Sequence, residues 1–151
     1  MLKSKMVRSI AMGAALLLGA SHAALAATEI QFWHAMEAAL GDRVNDIAND
    51  FNASQTDYKI VPVFKGTYSE TFTAAVAAFR AKQGPAIVQV FEVGTASMMA
   101  AKGAVYPVYK LMEDEKEPFD PKGFLGPVYG YYSTTDGKLL SMPFNSSTPV
   151  F

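Results

Sequence analysis

The stretch Ala86-Ile87-Val88-Gln89-Val90-Phe91 is an apolar run interrupted by a single glutamine. Such a run is typical of a strand that is covered on both faces inside a parallel sheet. Glu92 follows it directly, and Gly94-Thr95 opens a short helical segment. We therefore expect a buried strand that ends at a carboxylate.

Strand and helix patterns alternate upstream of this run. Residues 28–33 alternate polar and apolar side chains, and residues 58–64 form a second strand in which Pro62 favours an edge position. Thr67 and Glu70 match a capping box, which predicts a helix start at this point. Between the two strands, one apolar stripe at helical spacing is formed by Leu40, Val44, Ile47, Ala48 and Phe51.

This order of segments predicts an α/β fold built from βαβ units, with a mostly parallel sheet flanked by helices. In such sheets ligands bind beyond the carboxyl ends of the strands. The residues at those ends include Trp33, His34 and Glu92, with Gly66–Ser69 after the second strand and Asn145–Thr148 at the last turn. We expect them to gather along one rim. Further downstream, Asp136-Gly137 predicts a hairpin between residues 129–133 and 138–142.

Residues 1–26 have the three parts of a secretory signal peptide. Lys3, Lys5 and Arg8 form a basic start, and residues 10–20 are apolar. Ala24-Leu25-Ala26 offers the small residues that a signal peptidase requires, which predicts cleavage before Ala27. The apolar part is too short for a membrane-spanning helix of about 20 residues. We expect residues 27–151 to be exported to a periplasm.

The composition of residues 27–151 excludes several classes of function. Ten basic and 14 acidic side chains give a formal charge of −4, which argues against nucleic-acid binding. The chain has no cysteine, and His34 is the only histidine after the signal peptide, so thiol catalysis and histidine-rich metal sites are excluded. An exported hydrolase is disfavoured because no nucleophile motif is present. We expect neither a catalytic residue nor a cofactor or metal.

Several motifs in this order resemble the periplasmic solute-binding proteins of ABC importers, in particular the subfamily that binds sn-glycerol 3-phosphate. They are residues 32–37 (FWHAME), 58–62 (YKIVP), 65–68 (KGTY), 91–96 (FEVGTA), 130–133 (GYYS) and 143–150 (PFNSSTPV). The resemblance implies that residues 27–151 form the amino-terminal lobe of a periplasmic-binding-protein-like (class II) fold. It also implies that the chain is truncated before the second lobe, that the protein is a monomer, and that its partner is an ABC permease.

The same resemblance implies ligand contacts for Tyr68, Glu92 and Ser147. A carboxylate repels phosphate but accepts hydrogen bonds from glycerol hydroxyls, whereas a serine hydroxyl can donate to phosphate. Trp33 and Ser146 are further candidates, although Trp33 at a strand end more commonly packs in the core. Three alternatives stay open: a glycerophosphodiester as ligand, a neutral sugar of the maltose type as ligand, and a fragment that binds nothing alone.

Overall fold

The computed structural model describes residues 26–101 and 103–146. The signal-peptide prediction concerns residues 1–26, of which 1–25 lie outside the described part, as do Ser147 and the residues after it. In the described part of the chain, no helix has the length and hydropathy needed to span a bilayer.

Within these described residues, three parallel strands form a sheet in the order β2-β1-β3. Strand β1 (Thr28–His34) pairs along its whole length with β2 (Tyr58–Phe64), and two of its residues pair with β3 (Ile87–Val88). The crossover helices are α1 (Ala38–Ser54) and α2 (Tyr68–Arg80). The predicted α/β class with a parallel sheet flanked by helices is confirmed, and so is the edge position of the strand that contains Pro62.

Helix α1 packs on the outer edge of β2 through a side-chain amide. Asn52 Nδ2 donates to the carbonyl of Ile60 at 2.9 Å, and Ile60 N–H donates to Asn52 Oδ1 at 2.7 Å. This contact satisfies backbone groups that an edge strand otherwise leaves unpaired. The predicted apolar stripe is buried only in part, however. Val44 and Ala48 are buried, whereas the other three members are exposed: Leu40, Ile47 and Phe51.

The remaining elements are shorter. Helix α3 (Glu92–Ala100) follows β3, and the chain continues through α4 (Val108–Glu115), a 3-10 turn (Pro121–Gly123) and α5 (Gly126–Tyr131). Leu139 is almost fully buried, and its carbonyl accepts the N–H of Tyr109 at 2.9 Å. The segment after α5 is thereby attached to the start of α4.

Two predictions about secondary structure were wrong. The strand predicted over residues 86–91 contains two residues, and Ile87 in it is 45% exposed, so it is not covered on both faces. The predicted hairpin reduces to one antiparallel bridge between Ser133 and Leu139, because residues 129–131 belong to α5. Gly126-Pro127 favours a helix start there, and aromatic residues fit a short helix as well as a strand.

Candidate ligand-binding site

The strand order defines a candidate site beyond the carboxyl ends of β1 and β3, and we call the space between these two ends the crevice. The chain moves outward from β1 to β2 and then returns across β1 to β3, so right-handed crossovers put α1 and α2 on opposite faces of the sheet. The strand order reverses between β1 and β3, beside their carboxyl ends. This is where open α/β sheets bind ligands.

Gln89 lies at the base of this crevice and was not singled out from the sequence. It is 7% exposed, and its N–H continues the ladder by donating to the carbonyl of Trp33 at 2.8 Å. Its side-chain Oε1 accepts the N–H of Ala35 at 3.0 Å, and its Nε2 lies 3.5 Å from Asn145 Oδ1. Its position as the one amide in an apolar run was a usable signal, because a buried amide needs hydrogen-bond partners.

Tyr68 is the first residue of α2 and directly follows Thr67, the N-cap of the predicted capping box. The box is confirmed: Glu70 N–H donates to Thr67 Oγ1 at 3.3 Å, and Thr67 N–H donates to Glu70 Oε2 at 2.7 Å. The Tyr68 ring is 39% exposed and stacks on Phe91, with ring centroids 5.7 Å apart and planes at 20°. An aromatic wall with a phenol at its edge therefore borders the crevice.

Glu92 is the first residue of α3, and Phe91 is the N-cap before it. The residue is exposed, and its carboxylate benefits from the positive end of the helix dipole. Tyr131 Oη donates to the backbone carbonyl of Glu92 at 3.2 Å and so brings α5 to the same place. Because Tyr68 stacks on the residue that precedes Glu92, the structure brings these two candidates to one side of the rim.

Of the two serine candidates, only Ser146 lies in the described part of the chain. Ser146 is exposed and follows Asn145, whose Nδ2 lies 3.7 Å from the sulfur of Met36. Ser147 lies outside the described residues. The described part of the chain therefore places Tyr68 and Glu92 together and brings Asn145, next to Ser146, to Gln89.

Trp33 is 9% exposed, so it packs as strand ends commonly do. Its Nε1 donates to Gln31 Oε1 at 2.9 Å, and the ammonium group of Lys65 lies 3.9 Å from the centroid of its ring. Lys65 follows β2 directly and is a cation at the carboxyl end of the sheet. Lys65 was not singled out from the sequence as a cation at this end of the sheet, although its position directly after a predicted strand was a usable signal.

His34 is a buried packing residue in this site. Burial lowers the pKa of its imidazole, and the N–H of Met36 donates to its Nδ1 at 3.2 Å. The rings of Phe32 and Phe64 lie 5.7 and 6.0 Å from it. A neutral histidine enclosed by aromatic rings fixes the turn after β1 and contributes no charge to the rim.

Two surface hollows lie away from the rim. One of about 290 Å³ lies between α4 and the turn after α5, and one of about 240 Å³ runs along the side of α2. None of the candidate residues Trp33, Tyr68, Glu92 and Ser146 lines either hollow. Among the described residues, no group of three or more acidic or histidine side chains is arranged to hold a metal ion.

Comparison with protein families gives a match between residues 46–151 and the model of the bacterial extracellular solute-binding proteins. The chain belongs to this family. The match includes α2, β3 and α3, the elements that carry Tyr68 and Glu92.

Curated relatives are similar over nearly the whole chain. The chain is 52% identical over 145 residues to a protein of Yersinia pestis bv. Antiqua and 46% identical over 144 residues to one of Rhizobium meliloti, in each case over 95% of the chain. Both relatives are named sn-glycerol-3-phosphate-binding periplasmic protein UgpB. The chain spans about a third of their length, 33% and 34% respectively.

Solved structures of sugar-binding proteins have the same fold. CpMnBP1 with mannotriose bound has a TM-score of 0.60 and 18% identity, over 74% of this chain and 27% of its own. The cyclic alpha-maltosyl-1,6-maltose binding protein from Arthrobacter globiformis has a TM-score of 0.59 and 21% identity, over the same shares. At these identities the likeness establishes the fold alone.

Proposed function

We propose that this chain belongs to a periplasmic solute-binding component of an ABC transporter and captures sn-glycerol 3-phosphate for uptake. The observation that supports it most strongly is 52% identity, over 95% of the chain, to a protein named for this ligand and compartment. The relatives matched here are named as binding proteins, which favours a non-catalytic role. Since the chain spans a third of their length, the remaining contacts to the ligand would come from residues outside it.

Glu92 would recognise the glycerol part of the ligand. Its carboxylate is exposed at the start of α3 and can accept hydrogen bonds from two adjacent hydroxyl groups. A carboxylate repels a phosphate group, so Glu92 would also orient the ligand with its phosphate away from α3. Tyr68 would supply a flat wall and a hydroxyl donor next to it.

The phosphate would lie toward the opposite side of the crevice. Ser146 and Ser147 carry hydroxyl donors in the segment that follows Asn145, and neutral donors bind phosphate well. Lys65 adds a positive charge at the carboxyl end of β2, held near the Trp33 ring. Phosphate would then be bound by hydroxyl groups and one cation, and the hydroxyls of glycerol by Glu92.

The partners follow from the same proposal. Binding proteins of this type deliver their ligand to membrane permease subunits, and we propose such a permease as the partner. We further propose that the protein acts as a monomer, and that a second lobe closes over the ligand by a hinge motion.

The test is a titration of the ¹⁵N-labelled chain, purified after export, with sn-glycerol 3-phosphate, followed by two-dimensional NMR. This method also detects weak binding. We expect saturable shifts of the backbone amides of Tyr68, Glu92 and Ser146. Maltose and inorganic phosphate are the matched controls.

The outcomes separate the candidate ligands. Saturable shifts with maltose and none with sn-glycerol 3-phosphate would replace the proposal with a neutral-sugar function. Equal shifts with inorganic phosphate and with sn-glycerol 3-phosphate would remove the role of Glu92 as the residue that recognises glycerol. If no ligand moved any rim resonance, capture by this chain would be refuted.

A further inference from the structure

Gln89 is a buried amide that the proposed ligand contacts do not use. Two of its three contacts involve the side chain, and they join segments distant in sequence: Oε1 binds the Ala35 N–H after β1, and Nε2 faces Asn145 Oδ1 across 3.5 Å. A strand residue that only packed would be apolar at this place, because burying an amide costs free energy unless it is paired.

The segment of residues 143–146 depends on side chains for its position. It belongs to no helix or strand, and its backbone makes no hydrogen bond to the backbone of another described residue. Among the described residues, three side-chain contacts hold it, one of them between Asn145 Nδ2 and the sulfur of Met36 at 3.7 Å. The ring of Phe144 meets that of Phe32 edge to face at a centroid distance of 5.8 Å, and Asn145 faces Gln89.

We propose that Gln89 is a positioning residue of the ligand site. It anchors Asn145 and thereby sets the position of Ser146 relative to Glu92, which follows Gln89 by three residues. The hydrogen bond from the N–H of Ala35 to Gln89 Oε1, 3.0 Å long, fixes the orientation of the Gln89 amide. Gln89 Nε2 is therefore held as a donor that faces Asn145 Oδ1. This role rests on the proposed function, because it concerns the geometry of the same site.

Asn145→Ala removes the contacts of Asn145 with Gln89 and with Met36 and keeps the bond between Gln89 and Ala35. Asn145 is exposed, so we expect a melting temperature within about 2 °C of the wild type. We expect the amides of residues 143–146 to become more mobile in ¹⁵N relaxation measurements. Affinity for sn-glycerol 3-phosphate should fall about five- to tenfold, as for a lost hydrogen bond.

Further variants test the direction of the effect. Gln89→Met keeps the length of the side chain, removes both side-chain contacts of Gln89 and leaves the contact between Asn145 and Met36 in place. It should also loosen residues 143–146, and it isolates the contribution of Gln89. Asn145→Asp keeps an oxygen acceptor for Nε2 and should restore their order. The matched controls are Asn49→Ala, at an exposed position of α1, and Gln83→Met, after α2. They should change neither the order of residues 143–146 nor the affinity for sn-glycerol 3-phosphate.

Two results would overturn the proposal. The first is unchanged order of residues 143–146 in Gln89→Met, whatever the effect of Asn145→Ala. The second is a fall in melting temperature with affinity intact, since a merely structural role predicts this outcome. If the wild-type chain bound no sn-glycerol 3-phosphate, the proposed function would fail, while the relaxation data would still decide whether Gln89 positions the segment.

Discussion

Replacing Gly94 by alanine tests how tightly α3 packs against the aromatic wall of the site. Gly94 is buried in the first turn of α3, and a Cβ built there lies 2.9 Å from Cε1 of Phe91 and 3.2 Å from the Phe72 ring. The Phe91 ring cannot move away freely, because it stacks on Tyr68 and meets Phe72 edge to face at 6.3 Å. The added methyl group should therefore displace Tyr68 as well.

Two opposing contributions determine the free energy of unfolding. Alanine in a helix is favoured over glycine by about 1 kcal/mol. Overpacking in a filled core costs about 1–3 kcal/mol. The net expectation is a destabilisation of about 1 kcal/mol, which lowers the melting temperature by about 3–6 °C for a chain of this size.

Gly130→Ala in α5 is the matched control, since no described atom lies within 4 Å of its built Cβ. It gains helix propensity without a clash and should raise the melting temperature slightly. Both variants are compared by thermal unfolding followed with circular dichroism, and NMR records the ring resonances of Tyr68. If Gly94→Ala melted at or above the temperature of Gly130→Ala, the argument for a tightly packed wall would be refuted.

Three further predictions concern single residues. Thr67→Ala should cost about 1 kcal/mol through loss of the N-cap, seen as a lower denaturation midpoint, and an equal loss in Thr67→Ser would contradict this cause. Burial lowers the pKa of His34, so below pH 6.5 the unfolded chain binds more protons than the folded chain. The free energy of unfolding should therefore be highest above pH 6.5 and decline as the pH falls toward the folded pKa. Urea titrations of His34→Gln should show a weaker dependence of this free energy on pH over the same range. Glu92→Gln should weaken binding of sn-glycerol 3-phosphate about tenfold and leave binding of inorganic phosphate unchanged, as measured by calorimetry or NMR titration. Loss of binding to both ligands would contradict the assignment of Glu92 to glycerol.

Local patterns in the sequence were sufficient for the first half of the fold. The capping box at Thr67 and Glu70 involves residues three apart, so its hydrogen bonds could be predicted without tertiary information. Alternation in residues 28–33 and the position of Pro62 likewise identified a strand and an edge strand correctly. These features depend on neighbours in the chain.

Features that depend on distant partners could not be predicted in this way. The run at residues 86–91 has the composition of a buried strand, but the ladder continues only to Gln89, after which Phe91 turns toward Tyr68 and Phe72. The contact between Gln89 and Asn145 spans 56 residues, and no periodic pattern encodes it. The positions of Tyr68 after β2 and of Glu92 after β3 were predictable because they depend only on the succession of strands and helices along the chain.

The reversal of strand order at β1 has a consequence for how specificity can change. Each border of the crevice is formed where the chain leaves a different element: after β1, after β2 into α2, and after β3 into α3. Exchanges in one connection leave the hydrogen-bonded register of the strands intact. If the proposed function holds, the solute preference should change by exchange of one connection at a time, while the hydrogen-bonded sheet stays the same.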